Sequence, residues 1–112
     1  MGKRLLECLA NLYDITSADI LGKSRKAHIS EARMIYIYLM RHLGYSTTYL
    51  AEVLNRDHTT IIYNTQTFNN RYKYDVMFRK KVDKMLEIVD LYGKKDSDKV
   101  KEEGQGNKGR NN

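Results

Sequence analysis

The stretch "NRDHTTIIYN", residues 55–64, places six polar side chains directly before two isoleucines. Asp57 is a residue type that often caps helices, because its carboxylate can accept hydrogen bonds from free backbone N–H groups. The apolar pair that follows predicts a helix from His58 to about Asn70. These polar groups either cap that helix or are presented to another molecule.

A second short helix precedes this stretch. Ser46 or Thr47 can begin it, and the apolar residues at helical spacing are Tyr49, Leu50, Val53 and Leu54. Two short helices joined by about three residues match a helix-turn-helix, whose second helix enters the major groove in DNA-binding proteins.

The helical periodicity of 58–70 divides the second helix into two faces. The predicted core face consists of Ile61, Ile62, Thr65 and Phe68. The opposite face is polar but uncharged, and it consists of Thr59, Thr60, Tyr63, Thr67 and Asn70. Threonine methyls can contact thymine, hydroxyls can reach base edges, and the helix N-terminus can bind a phosphate.

The residues at the start of this helix leave two interpretations open. Asp57 is a plain cap or a reader of a cytosine amino group, and one carboxylate can do both. His58 lies near the inner side of the helix, so it is either a packed histidine or a base contact. Arg56 projects toward the outer face, as a surface residue or a DNA contact.

A basic segment, "GKSRKAHIS", lies upstream and is predicted to form a loop. It contains Lys23, Arg25 and Lys26, and Arg33 follows in the first turn of a long helix that Ser30 is predicted to cap. A flexible basic segment beside a helix-turn-helix can enter the minor groove, where arginine is favoured. The alternative is a solvated loop.

The remaining pattern predicts an all-α fold, a compact helical domain of about five to six helices. Apolar residues at helical spacing predict further helices at 3–14, at "SADIL" and at 75–92, and the chain contains no proline. Residues 1–92 are therefore predicted to form one domain. Residues 93–112 contain one aliphatic side chain, Val100, and are predicted to be a disordered, charged tail.

Composition limits the possible functions. The net charge of +6 indicates a polyanionic partner or simply aids solubility. Cys8 is the only cysteine, which excludes an intrachain disulfide. We see no paired carboxylates, nucleophile–base pair or ligand spacing, so the sequence predicts no enzyme, cofactor or metal. Without a membrane-span pattern or signal peptide, a cytoplasmic protein is expected.

The motifs resemble a known family. "RDHTT" is similar to the signature at the start of the recognition helix in the C-terminal domain of the bacterial replication initiator DnaA. "ADILGKSRKAHISEARMIYIYL" is similar to that domain's upstream segment. The resemblance implies a Trp-repressor-like fold that binds short A·T-containing boxes in double-stranded DNA at origins and some promoters.

The resemblance also implies roles for individual residues. Arg25 matches a minor-groove arginine, and Arg33 matches an arginine near the phosphates at the start of the long helix. The residues that match the major-groove signature are Arg56, Asp57, His58, Thr59 and Thr60. The match therefore favours a base contact for His58 over a packed histidine.

The chain departs from the family pattern at several positions. Tyr63 stands where the family often has histidine, which changes the expected base preference. Glu31 stands where a basic residue is common, which should weaken phosphate contacts, and Asn55 replaces a Gly-Gly turn. The chain contains no P-loop, so nucleotide binding is not expected.

Two functions follow from the sequence. The leading one is sequence-specific binding of double-stranded DNA, in replication initiation, in its regulation or in transcription. The alternative is an interaction module that keeps the fold but binds a protein, because tyrosine and methionine are enriched at protein interfaces. The residues that leave room for such a surface are Glu31, Met34, Tyr36, Tyr38, Tyr45 and Tyr49, and the other interpretation is that most of these tyrosines fill the core.

Overall fold

The computed structural model describes the backbone of residues 2–105 and the side chains of residues 2–91. The described residues form six helices and no strand, which confirms the predicted all-α class. The helices are α1 (Gly2–Tyr13), α2 (Ser17–Leu21), α3 (Ala27–His42), α4 (Thr47–Leu54), α5 (His58–Tyr74) and α6 (Val76–Gln105).

α3 is the central helix, and α1, α2, α5 and α6 pack around it. It is buried on most of its circumference because its inward positions carry large apolar side chains, among them Ile35, Leu39 and Met40. Phe68 of α5 joins the helices further, because its ring stacks on Tyr38 of α3 with 4.0 Å between centroids. The ring of Phe78 in α6 contacts the Phe68 ring edge-on, with 5.4 Å between their centroids.

The predicted start of α3 is wrong by one turn. The helix begins at Ala27 with Lys26 at the N-cap position, and the Ser30 N–H already donates to the Lys26 carbonyl at 2.9 Å. The extra turn contains Ile29, whose side chain is buried, and this burial stabilises the extension. Arg33 consequently lies in the second turn instead of the first.

Glu31 links four helices on the side of α3 that faces α1, α5 and α6. The Tyr13 hydroxyl of α1 donates to its carboxylate, Lys81 of α6 lies at 2.9 Å, and Arg71 of α5 lies at 2.5 Å. Burial alone would raise the pKa of Glu31, but these hydrogen bonds and the Arg71 charge hold it below its usual value. The carboxylate is therefore committed inside the fold.

The last helix extends to Gln105, beyond the predicted end near residue 92. Side chains from residue 92 onward, and the backbone from residue 106 onward, lie outside the described residues. The disorder expected for residues 93–112 therefore stays a prediction. Among the described residues, no helix combines the length and apolar character needed to cross a membrane.

Candidate nucleic-acid interface

α4, a tight turn and α5 form the predicted helix-turn-helix. Ser46 caps α4, because its hydroxyl accepts the Tyr49 N–H at 3.0 Å. The turn reverses at Asn55, whose φ of 52° and ψ of 53° place it in the left-handed region. Asparagine adopts this region more readily than most residues, so it can serve where the family often has glycine.

Asp57 occupies the N-cap position of α5, but its side chain makes no cap hydrogen bond. Its backbone carbonyl instead accepts the N–H groups of Thr60 at 3.1 Å and Ile61 at 3.2 Å. The predicted capping carboxylate is therefore wrong, although the position is right. The carboxylate is exposed at the start of the helix.

The outer face of α5 begins with exposed His58 and Thr59, while Thr60 is half-buried. Tyr63 is also exposed, with 67 % of its surface open to solvent. The prediction that His58 lies near the inner side is wrong, because its side chain is exposed. Of the two further residues predicted on this face, Asn70 is exposed and Thr67 is half-buried.

Ile62 is the residue that the sequence pattern misplaced. It was assigned to the core, yet 51 % of its surface is exposed, whereas its neighbour Ile61 is 1 % exposed. Packing of α5 is centred on Ile61 and Phe68, which are seven residues apart on one side of the helix. Ile62 lies one step around the helix from that side and adds an apolar group to the exposed surface.

The segment between α2 and α3 is the predicted basic loop. Lys23, Arg25 and Lys26 are exposed there, and Ser24 is half-buried. α2 leads into it with a capping box, in which Thr16 and Asp19 exchange two hydrogen bonds of 3.0 Å. The loop is short and anchored at both ends by helices, so its cationic side chains extend from a defined backbone.

Arg33 does not lie on the surface of this site. It is 7 % exposed, and its guanidinium donates to the carbonyls of Ile20 at 2.7 Å, Ser24 at 2.9 Å and Asp19 at 3.0 Å. Burial and the nearby positive charge of Arg56 lower the pKa of Arg33. This geometry does not support the predicted phosphate contact, and it makes Arg33 a buried support of the basic loop.

Arg56 is half-buried and connects the turn to the loop. Its Nη1 donates to the Leu54 carbonyl at 2.9 Å, and its Nη2 donates to the Gly22 carbonyl at 2.6 Å. Gly22 directly precedes the loop lysine Lys23. The structure therefore joins the start of the basic loop to the turn that leads into α5.

The described residues contain no group of three or more histidine, cysteine, aspartate or glutamate side chains that could hold a metal ion. Cys8 is a free, half-buried thiol against the core.

Comparison with known proteins gives the family. Residues 3–67 match the family described as the bacterial DnaA protein helix-turn-helix. This match spans the basic loop, α4 and the start of α5, which are the elements that form the site.

Three similar proteins each carry the name chromosomal replication initiator protein DnaA. The one from Tropheryma whipplei (strain Twist) is 42 % identical over 67 residues, which is 59 % of this chain and 14 % of that protein. The one from Gloeothece citriformis is 32 % identical over 89 residues, covering 78 % and 20 %. The one from Lactococcus lactis subsp. cremoris is 32 % identical over 83 residues, covering 72 % and 18 %.

The chain thus spans at most about a fifth of the length of these relatives, where the largest share is 20 %. The matched part is the portion whose helices build the candidate site. On the family match and the observed fold together, the chain belongs to the family of bacterial DnaA helix-turn-helix domains.

Proposed function

We propose that this chain binds double-stranded DNA at DnaA-box-like sites, with α5 in the major groove and the basic loop in the minor groove. One observation carries the proposal: an uncharged polar helix face and an exposed cationic loop lie side by side in a DnaA helix-turn-helix domain. Neither feature alone would distinguish a DNA reader from an ordinary solvated surface.

The two parts of the site supply different contacts to DNA in this proposal. The start of α5 supplies hydrogen-bonding groups for base edges, from Asp57, His58, Thr59, Thr60 and Tyr63. The loop supplies Arg25 for the minor groove, while Lys23 and Lys26 neutralise phosphates. Arg56 lies between the two parts, and Arg33 supports the loop from inside the fold.

The exposed carboxylate of Asp57 supports base reading. A carboxylate that makes no cap hydrogen bond is available to accept from a cytosine amino group, whereas near a phosphate it would be repelled. The exposed methyl groups of Thr59 and Ile62 suit thymine contacts. The surface can therefore discriminate bases as well as attract the DNA backbone.

Binding without catalysis is the proposed activity. A domain of this kind acts by occupying its sites, in replication initiation, in the regulation of initiation or in transcription. The names of the relatives favour a connection with chromosomal replication.

The alternative, a protein-interaction module, loses most of its expected surface. Met34, Tyr36 and Tyr45 are 6 %, 2 % and 4 % exposed, and Tyr38 stacks on Phe68. Only Tyr49 of that group is open to a partner, with 43 % of its surface exposed. Burial of Met34, Tyr36 and Tyr45 removes most of the support for the alternative and so favours DNA binding.

Fluorescence anisotropy tests the proposal directly. The chain is titrated into a duplex that carries a DnaA box and into a scrambled duplex of equal composition, at several salt concentrations. We expect tighter binding to the box and an affinity that falls steeply as salt rises, because phosphate contacts release counterions. Equal affinity for both duplexes would refute box recognition, and salt-independent behaviour would refute the phosphate contacts.

A further inference from the structure

The two guanidinium groups of Arg33 and Arg56 converge on one short segment. Between Asp19 and Ser24, backbone carbonyls accept from Arg33 at three positions and from Arg56 at a fourth, Gly22. The bonds of Arg33 come from the core helix α3. The bonds of Arg56 come from the helix-turn-helix, 34 residues away from Gly22 along the chain.

Arg56 therefore joins three parts of the site through one side chain. It belongs to the segment that leads into α5, it donates to the Leu54 carbonyl at the end of α4, and it donates to the Gly22 carbonyl at the start of the loop. A planar guanidinium can hold two carbonyls at a fixed separation, which the single ammonium of lysine cannot do.

We propose that Arg56 is a positioning residue that couples the basic loop to the recognition helix, so that both reach DNA in one fixed relation. This inference rests on the proposed DNA-binding function and deepens it. A loop held in advance loses less conformational entropy when it enters a groove, so the coupling contributes to the affinity of loop residues such as Arg25.

The coupling has a signature that a direct DNA contact lacks. Each terminal nitrogen of Arg56 carries two hydrogens. After the bonds to Leu54 and Gly22, each nitrogen keeps one hydrogen that could be donated to DNA. Loss of affinity on mutation therefore does not distinguish the two roles. Dependence on Arg25 does, because positioning matters only while the positioned side chain is present.

The test is a double-mutant cycle on the box duplex, with Arg56→Lys, Arg25→Ala and the double variant. Arg56→Lys keeps the charge, so the salt dependence should be unchanged while box affinity falls. If each single change weakens binding about tenfold, the double variant should also lose about tenfold. A loss of about a hundredfold would mean independent contacts and would overturn the coupling.

A matched control cycle pairs Arg56→Lys with Tyr63→Ala. Tyr63 lies on α5, whose position is set by Ile61 and Phe68 in the core, so these two losses should add. Coupling of the same size in this cycle would show a general disturbance of the fold and would also overturn the proposal.

A second variant reaches the same contact from the loop side. A Cβ at Gly22 would lie 2.9 Å from the Ala18 carbonyl oxygen, so Gly22→Ala must shift the segment that carries the Gly22 carbonyl. Every basic side chain is retained in this variant. We expect weaker box binding than in the wild type, and no additive loss when Gly22→Ala is combined with Arg56→Lys.

Amide hydrogen exchange of residues 23–26, measured without DNA, tests the Arg56 coupling separately from the proposed DNA-binding function. Faster exchange in Arg56→Lys, with unchanged exchange in α1, supports the coupling, and unchanged exchange in the loop overturns it. A wild-type chain without box preference would instead refute the proposed function. A wild-type chain with box preference and an additive cycle would refute the coupling alone.

Discussion

Arg25 and Arg33 are the same residue type on either side of the start of α3, yet their surroundings are opposite. Arg25 is exposed on the basic loop, whereas Arg33 is buried and donates to three backbone carbonyls. The site therefore has an inner layer, whose side chains hold the loop backbone, and an outer layer, whose side chains are exposed. Charge alone does not assign a residue to either layer.

The largest expected effect is on stability, from Arg33→Ala. Removal of the guanidinium takes a donor from three backbone carbonyls, of which that of Ile20 belongs to a buried residue, and this should lower the free energy of unfolding by about 2–4 kcal/mol. Chemical denaturation measures the change, with exposed Lys84→Ala on α6 as the control. A stability equal to that of the control would contradict the inner role of Arg33.

Arg25→Ala should act in the opposite way. The side chain is exposed, so the free energy of unfolding should change by less than about 0.5 kcal/mol. Binding to the box duplex should weaken by about 1–3 kcal/mol if the arginine reads the minor groove. Anisotropy and thermal unfolding of the same preparation measure both quantities, and a stability loss without a binding loss would reverse the assignment of layers.

Glu31→Gln should reduce stability but leave DNA affinity unchanged. Glu31 joins α3 to α1, α5 and α6 and does not contact the basic loop. The folded pKa of Glu31 lies below its usual value, so its contribution is present above that usual value and is lost as pH falls through the folded pKa. At neutral pH we expect a loss of about 1–2 kcal/mol.

Unfolding curves recorded from neutral to acidic pH test this. The difference between wild type and Glu31→Gln should shrink as the wild-type carboxylate becomes protonated. Asp19→Asn provides a positive control outside this network, because the Asp19 carboxylate accepts the Thr16 N–H at 3.0 Å and also has a lowered pKa. A difference for Glu31→Gln that stays constant with pH would contradict the ionised network.

Lys23→Ala should give the smallest effect. A phosphate contact carries no sequence information, so binding to the box duplex and to the scrambled duplex should weaken equally, by about 0.5–1 kcal/mol. The slope of log affinity against log salt should become shallower by about one unit. A loss confined to the box would move Lys23 from phosphate neutralisation to base reading.

The comparison of the two arginines also shows how far the sequence could predict the molecule. Helical spacing and caps predicted the order of the helices and the helix-turn-helix, because both are local properties. The exposed loop cations were likewise predictable from polarity. Burial of Arg33 was not, since it depends on carbonyls of α2 that folding brings beneath it.

Three other deviations have the same origin in tertiary packing. Ile62 follows Ile61 in the pattern, but α5 packs against the core through Ile61 and Phe68, and this leaves 51 % of the Ile62 surface exposed. α3 begins one turn before its predicted cap at Ser30, and the extra turn contains the buried Ile29. The two bonds of Arg56 join segments far apart in the sequence, so no local pattern announces them.

The most direct test is a titration of the ¹⁵N-labelled chain with a box duplex, followed by amide chemical-shift changes. We expect the largest changes in residues 22–26 and 56–63. Little change is expected in α1 or around Glu31 and its partners Arg71 and Lys81. Changes centred instead on the exposed apolar corner of Tyr74, Val76 and Met77, or spread evenly over the basic surface, would contradict recognition by the loop and α5.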